Sequence, residues 1–320
     1  MAVYVGVDVG GTNLTAGLVD DQCRILARAG RKTPKDGTLC RAILDLAREV
    51  TAAAGARPEE VVRLGIGIPG AVDRARGVVL HTPNIRMENA PVADLIRAEW
   101  PVPVALENDA GCAAAGEYLA GAARGHRSAM VVTLGTGVGA GLIVDGALFL
   151  GCGGIGPEAG HMVIHPGGRP CNCGRKGCWE RYASATGLKQ TTREAMLRRP
   201  DSLMWELAGS PERVSGKTAF QAARRGDEAG REVVEDYLFH LGLGLANLVN
   251  CFHPEVICLG GGVSNEGDDL FLEPLRRMVD EESFNPTRDR TRLVKAVLGN
   301  DAGIIGAAVP LPRREGACPV

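Results

Sequence analysis

Residues 3–9, VYVGVDV, are an apolar run broken only by Asp8 near its end, the pattern of a buried strand. The turn Gly10-Gly11-Thr12-Asn13 follows, then a second strand, LTAGLVD, and a third around Arg24–Ala29, which together read as hairpins with glycine at the tight positions. Between Asp36 and Gly55 the apolar residues Leu39, Ile43, Leu44, Leu46, Ala47 and Val50 fall on a helical stripe. Asp36 is its expected cap and Gly55 its expected stop. Further strands are expected at 61–68, up to His81, at 103–106, 129–134, 142–150, 255–259 and 292–297. Helices are expected at 91–100, 110–121, 182–198, 218–225, 228–252, 268–282 and 302–309. Gly242, Gly244 and Asn247 inside the long apolar helix point to close packing against another element, a second subunit included. The stretch 199–217 has no pattern, and the tail from Leu311 reads as frayed. The sum is an α/β protein.

The hairpin motif recurs. Strand 129–134 runs into Gly135-Thr136-Gly137-Val138-Gly139-Ala140-Gly141 and then LIVDGALFL, and GLIVD at 141–145 echoes GLVD at 17–20. We read an internal duplication, each half opening on a glycine-rich hairpin able to grip phosphate. Gly135, Gly137 and Ala140 also fit G-x-G-x-x-A, but a dinucleotide fingerprint needs a helix directly after the glycines, and a hairpin pattern follows here. No G-x-x-x-x-G-K-[ST] loop is present.

Bulk numbers narrow the class. A chain of 320 residues suggests two domains. Apolar content of 45% and charge of 23% are ordinary for a globular protein, and a net charge of −2 gives no bulk attraction to nucleic acid or anionic membrane. No apolar stretch approaches a membrane span, and no basic and apolar leader follows Met1. Ten cysteines in a chain this long do not make a disulfide scaffold. Cys23, Cys40, Cys112, Cys251 and Cys258 lie among apolar or small residues and are expected to be buried free thiols, which places the protein in a reducing cytoplasm.

The chemistry concentrates in PEAGHMVIHPGGRPCNCGRKGCWE, 157–180. His161, Cys171, Cys173 and Cys178 supply four N/S donors, the number a structural Zn²⁺ takes, and Gly174 and Gly177 allow the tight turns that converge the thiols. Glu158 and Glu180 flank the cluster and could grip a polyol. Asp8, at a strand end beside the Gly-Gly-Thr turn, suits hydrated Mg²⁺, while the turn's N–H groups and the Thr12 hydroxyl suit phosphate. Asp109 stands where a strand ends and a helix starts, as a helix cap, as a general base, or as both. Asn108 offers a donor and an acceptor to a sugar hydroxyl. Three glycines after the strand 255–259 would let a flat adenosine lie on the backbone.

DVGGTN (8–13), END (107–109), TLGTGVGAG (133–141), PEAGH (157–161), CNCGRKGCWE (171–180) and LGGGVS (259–264) together resemble the ROK (repressor, open reading frame, kinase) family of sugar kinases, most of all its ATP-dependent glucokinases. The resemblance covers nearly the whole chain. It implies an actin-like, duplicated ribonuclease H-like fold of two α/β domains, with ATP and sugar in the cleft between them. The small domain would comprise 1–112 plus a C-terminal helix about 302–320, and the large one 113–301. It implies phosphorylation of a hexose, glucose first, at its 6-hydroxyl, with Asp109 as general base. Asn108, Glu158, His161 and Glu180 would hold the other hydroxyls, with Gly70 and Asn84 nearby. Asp8, Gly10, Gly11, Thr12 and Asn13, together with Thr136 and Gly137, would hold phosphates and Mg²⁺. Gly261 and Gly262 would flank adenosine, and His161 would give one ring nitrogen to zinc and one to sugar. It also implies a homodimer or homotetramer. Kinases for fructose, mannose, allose, N-acetylmannosamine or N-acetylglucosamine share this skeleton. A sugar-responsive repressor of the family would carry a helix-turn-helix before the first hairpin, where seven residues precede Asp8 here. A catalytically dead sugar-binding regulator is disfavoured by the set Asp8, Asp109 and Thr136.

Overall fold

The computed structural model describes residues 2–82, 85–285 and 290–315. Strands β1 (Val3–Val9), β2 (Asn13–Asp20) and β3 (Ile25–Lys32) form an antiparallel meander, as the hairpin pattern requires. Helix α1 (Leu39–Ala53) buries the expected stripe. Asp36 does not cap it. Its carboxylate instead accepts the N–H (3.1 Å) and hydroxyl (2.6 Å) of Thr38, a local turn that uses up the acid before the helix begins at Leu39.

Strand β4 (Val61–Ile68) lies parallel to β1. The short strands β5 (Ala71–Asp73), β6 (Val78–His81) and β7 (Glu88–Ala90) make a small antiparallel sheet before α2 (Val92–Glu99). Strand β8 (Val104–Asn108) pairs parallel with β4 and leads straight into α3 (Asp109–Ala120).

Strands β9 (Ser128–Leu134), β10 (Val138–Val144) and β11 (Ala147–Gly151) repeat the opening meander. The run 142–150, expected as one strand, is split by Asp145 (φ 48°) and Gly146 (φ 77°), two left-handed residues that turn a tight hairpin. No helix follows Gly135–Gly141, so the dinucleotide reading fails on structure as it did on sequence.

The expected helix 182–198 is two, α4 (Glu180–Ala183) and α5 (Ala185–Arg198). They divide at Ser184, which is extended and accepts the Gly187 N–H at 3.0 Å to cap α5. The patternless stretch holds α6 (Met204–Ala208), ahead of α7 (Thr218–Arg224) and α8 (Glu228–Phe252). Strand β12 (Val256–Gly260), α9 (Leu272–Glu282), β13 (Arg292–Lys295) and α10 (Asp301–Ala308) follow. The tail is not frayed at 313–315, where β14 (Arg313–Glu315) pairs parallel with β11. One sheet runs β3-β2-β1-β4-β8 and the other β13-β12-β9-β10-β11-β14, so the order 3-2-1-4-8 recurs as 11-10-9-12-13. That is the duplication, written in topology.

The chain divides into two compact units. The first comprises Met1–Val131, Gly141–Pro157 and Ala296–Val320, the second Val132–Ala140 and Glu158–Lys295. In the first, apolar residues of β1, β2, β4 and β8 pack with α1 and α2. Helix α10 seats itself there backbone to backbone. A Cβ on Gly65 would lie 1.8 Å from the Ala307 carbonyl oxygen, and one on Gly306 1.8 Å from that of Cys112 in α3. In the second, Phe220 meets Tyr237 and Phe271 edge-on. The glycines of α8 serve its own chain, Gly244 lying against the Trp179 ring and Gly242 against Met278. Cys112 and Cys258 are buried as expected, whereas Cys23 and Cys40 are half-buried and Cys251, late on the exposed end of α8, faces solvent. Among the described residues no helix is long and apolar enough to cross a membrane.

Candidate functional site

The first hairpin is held from behind. Gly10 N–H donates to the Asn13 carbonyl at 2.9 Å, Thr33 Oγ1 donates to the Gly10 carbonyl at 2.7 Å, and Thr33 N–H donates to the Thr12 carbonyl at 3.0 Å. A cavity of about 630 Å³ opens there, lined by Asp8, the turn 10–13, Arg31, Lys32 and Asn300. Lys32 Nζ donates to Asn13 Oδ1 at 3.0 Å. Burial pushes the Asp8 carboxyl up to about 6, with the negative Asp109 adding to it and Arg28 opposing it. A partly desolvated carboxylate beside open space, with cations nearby, is a natural seat for a hydrated divalent ion and the phosphates it bridges. Gly303 of α10 backs Asp8, since a Cβ there would stand 2.8 Å from the carboxyl carbon.

At the end of β8, Asn108 rather than Asp109 caps α3. Its Oδ1 accepts the N–H of Ala110 (2.9 Å) and Gly111 (3.3 Å), and its Nδ2 donates to the Gly70 carbonyl at 3.0 Å. One amide hydrogen of Asn108 is left for another acceptor. Gly70 has φ 100°, and a Cβ on it would meet the His81 carbonyl at 2.2 Å, so no other residue fits there. Asp109 Oδ1 accepts the Ala110 N–H at 2.9 Å, and burial raises its carboxyl above the ordinary range. Asn84 lies outside the described residues.

These residues all belong to the first unit. Thr136, Gly137, Glu158, His161, Glu180, Gly261, Gly262 and the three thiols belong to the second. There the four donor atoms of His161, Cys171, Cys173 and Cys178 lie within 4.8 Å of one another. Cys171 Sγ is 3.7 Å from His161 Nδ1, and Cys173 Sγ is 3.6 Å from Cys178 Sγ. A tetrahedral zinc with bonds of about 2.0–2.3 Å sets its ligand atoms roughly 3.5–3.8 Å apart, so the donor set fits that ion in chemistry and in size. Gly174 (φ 86°) and Gly177 (φ 82°) make the turns as expected, and a Cβ on Gly177 would lie 1.8 Å from the His165 carbonyl. Burial pushes the Cys171 thiol up to about 12, while the Arg175 N–H holds Cys173 down. Three such sulfurs need a cation beside them to be thiolates together.

The carboxylates gather on the same cluster. His161 Nε2 faces Glu158 at 3.9 Å, and Glu180 Oε1 lies 3.9 Å from His161 Nδ1 and 3.1 Å from Cys171 Sγ. A Cβ on Gly137 would meet the other Glu180 oxygen at 2.5 Å, so the second glycine turn touches the carboxylate directly. Gly261 (φ 95°) presses on the Leu134 carbonyl, whereas nothing lies within 4 Å of a Cβ position on Gly262, the open face a ring would need.

Sequence reading missed Lys32, Arg31, Asn300, Glu107 and Gly303. The hairpin register, which pairs Asn13 with Lys32, could have located the first two. Nothing local locates the others.

The model of the ROK family matches residues 4–313. The chain belongs to the ROK family. As a ROK protein it is 38% identical to the glucokinase of Thermotoga maritima over 98% of each chain. It superposes with a TM-score of 0.84 on a ROK family glucokinase from Streptomyces griseus solved in complex with glucose and AMPPNP, at 36% identity over 96% of this chain and 98% of that one. The xylose repressor of Bacillus subtilis matches 94% of this chain at 28% identity and is itself 75% covered. The fold is the actin-like sugar-kinase fold of these ROK enzymes.

Proposed function

We propose that this ROK protein transfers the terminal phosphoryl group of ATP to the 6-hydroxyl of a hexose, with glucose as the preferred acceptor. The observation that carries the reading is the near full-length likeness to glucokinases, one of them solved with glucose and an ATP analogue. The local geometry supports it. Asp109 is the general base: it is anchored at the start of α3 by the Ala110 N–H and has a carboxyl raised by burial, which suits a proton acceptor. Asn108, Glu158, His161 and Glu180 hold the remaining hydroxyls, with Gly70 and Asn84 beside them. Asp8, Gly10, Gly11, Thr12, Asn13, Thr136 and Gly137 take the phosphates and Mg²⁺, and Gly261 and Gly262 flank adenosine. Charge on the transferring group is met by fixed N–H donors and by Lys32, and in-line placement of the alcohol supplies much of the rate.

Zinc, when bound by His161, Cys171, Cys173 and Cys178, holds the segment in shape. With these four residues as its ligands the ion would serve structure rather than catalysis, since a structural zinc takes four protein donors. His161 then presents Nε2 to sugar from the side facing Glu158. The remaining parts of the reading are a small domain of residues 1–112 with the C-terminal helix, a large domain 113–301, a cytoplasmic homodimer or homotetramer, and no nucleic-acid partner. A repressor role is disfavoured by the net charge of −2.

ADP release measured over glucose, fructose, mannose, N-acetylmannosamine and N-acetylglucosamine tests the reading. Glucose should give the highest kcat/KM, and Asp109→Asn should keep sugar binding while losing at least ~100-fold in kcat. No turnover with any of these sugars, or full turnover by the variant, would overturn it.

A further inference from the structure

Glu107 contacts neither phosphate nor sugar in the proposed reaction, yet it is 4% exposed and adjoins Asn108 and Asp109. Its charge is met by Arg74, in the turn after β5. Arg74 Nε donates to Glu107 Oε2 at 2.8 Å and Nη2 donates to Oε1, with both side chains 6% exposed. Stability does not explain such a pair, because a buried ion pair generally does no better than apolar residues of the same volume. Arg74 Nη1 is moreover buried without a hydrogen-bond partner among the described residues, which is itself a cost.

What the pair does fix is position. Glu107 Oε1 also accepts the N–H of Asn108 at 2.9 Å. A Cβ on Gly111 would stand 2.8 Å from the same oxygen, so the first turn of α3 rests on the carboxylate. The bidentate fork holds Glu107 in one orientation, and Glu107 in turn holds the backbone on which the cap and the base are mounted.

We propose that Arg74, acting through Glu107, is a positioning residue that sets where the Asp109 carboxylate stands against the acceptor hydroxyl. The proposal rests on the kinase reading above. Displacements of about 1 Å at a reacting group cost up to ~100-fold in rate.

The test compares Arg74→Met, Arg74→Lys, Glu107→Gln and the double variant Arg74→Met/Glu107→Gln with the unaltered chain, and uses Arg76→Met, an exposed neighbour, as control. Either single neutral variant leaves one member of the pair buried without the other, which costs stability, and the double variant removes both members together. Melting midpoints are recorded, then kcat and KM for glucose and for ATP across pH. The double variant should stay folded, lose at least about tenfold in kcat with KM for ATP within twofold, and show a displaced acid limb in its kcat profile. Arg74→Lys, which keeps the charge but not the fork, should fall between. A folded double variant with kcat within twofold of the unaltered chain overturns the proposal, as does a double variant that fails to fold, since the pair would then be structural. If the unaltered chain phosphorylates no hexose, the kinase reading itself has failed and the positioning role falls with it.

Discussion

Asp8 is held at a cost. Its folded carboxyl titrates at about 6 against an ordinary 3.8, raised by burial first and by Asp109 second. The protonated form is therefore the one the fold favours. That contribution is fully present below pH 3.8 and is lost as pH rises through about 6. Above neutrality the charged Asp8 costs the ligand-free protein on the order of 3 kcal/mol, since each tenfold change in proton affinity is worth about 1.4 kcal/mol. Asp8→Asn should thus be more stable than the native chain at about pH 7.5 in metal-free buffer, and the gain should shrink toward zero near pH 4. Urea unfolding at a series of pH values measures it, and an Asn variant no more stable than the native chain above neutrality would refute it. Glucose-dependent ADP release should collapse in the same variant, because the carboxylate proposed to hold the divalent ion is gone. Asp8 and Asp109 were legible from the sequence because each closes an apolar strand run beside a turn. Glu107 and Arg74 were not, because their sequence separation gives no local sign that the two side chains meet, and only the fold brings Arg74 onto the Glu107 carboxylate.

At the scale of elements, the segment 157–180 was the most legible piece. Its donor spacing named the four side chains that the fold brings together, and its glycines named the turns. What spacing could not give was the side of the cluster on which Glu180 lies, since that depends on how the Gly135–Gly137 turn folds onto it. Cys178 is fully buried, and its backbone bridges Val163, so it ties the segment's end to its start. The protein as isolated should carry one zinc per chain by elemental analysis. Cys178→Ser should lose that zinc and lower the melting midpoint by at least about 5 °C, a shift of roughly 3 kcal/mol in a chain of this size. Full zinc content with an unchanged midpoint would mean the four donors are not a site. Helix α10 was legible as a helix but not in its packing. Its hydrophobicity is spread all round, and its close approach to β1, β4 and α3 depends on glycines at 6, 65, 116 and 306 that no periodicity marks.

Across the whole molecule, duplication is the organising fact, and its trace in the sequence was short: two Gly-Thr turns and the echo of GLVD in GLIVD. The topology repeats far more than the residues do, because a meander followed by parallel strands constrains only which positions are apolar. The chain passes between the two compact units at 131/132, 140/141, 157/158 and 295/296, and the first two passages fall inside β9 and β10. Each of those strands therefore gives residues to both units. A strand cannot melt by halves without stranding the ladder groups of its other half, and buried unpaired N–H and C=O groups are costly. Chains of this length often unfold in steps, but this interleaving argues for one. Trp100 reports on the first unit, and Trp179 and Trp205 on the second. Urea unfolding followed by tryptophan fluorescence, with Trp100→Phe and Trp205→Phe used to separate the reporters, and by far-ultraviolet circular dichroism should give coincident midpoints. Two resolved midpoints, with Trp100 moving in one and Trp179 in the other, would show that β9 and β10 do not bind the units into one cooperative body.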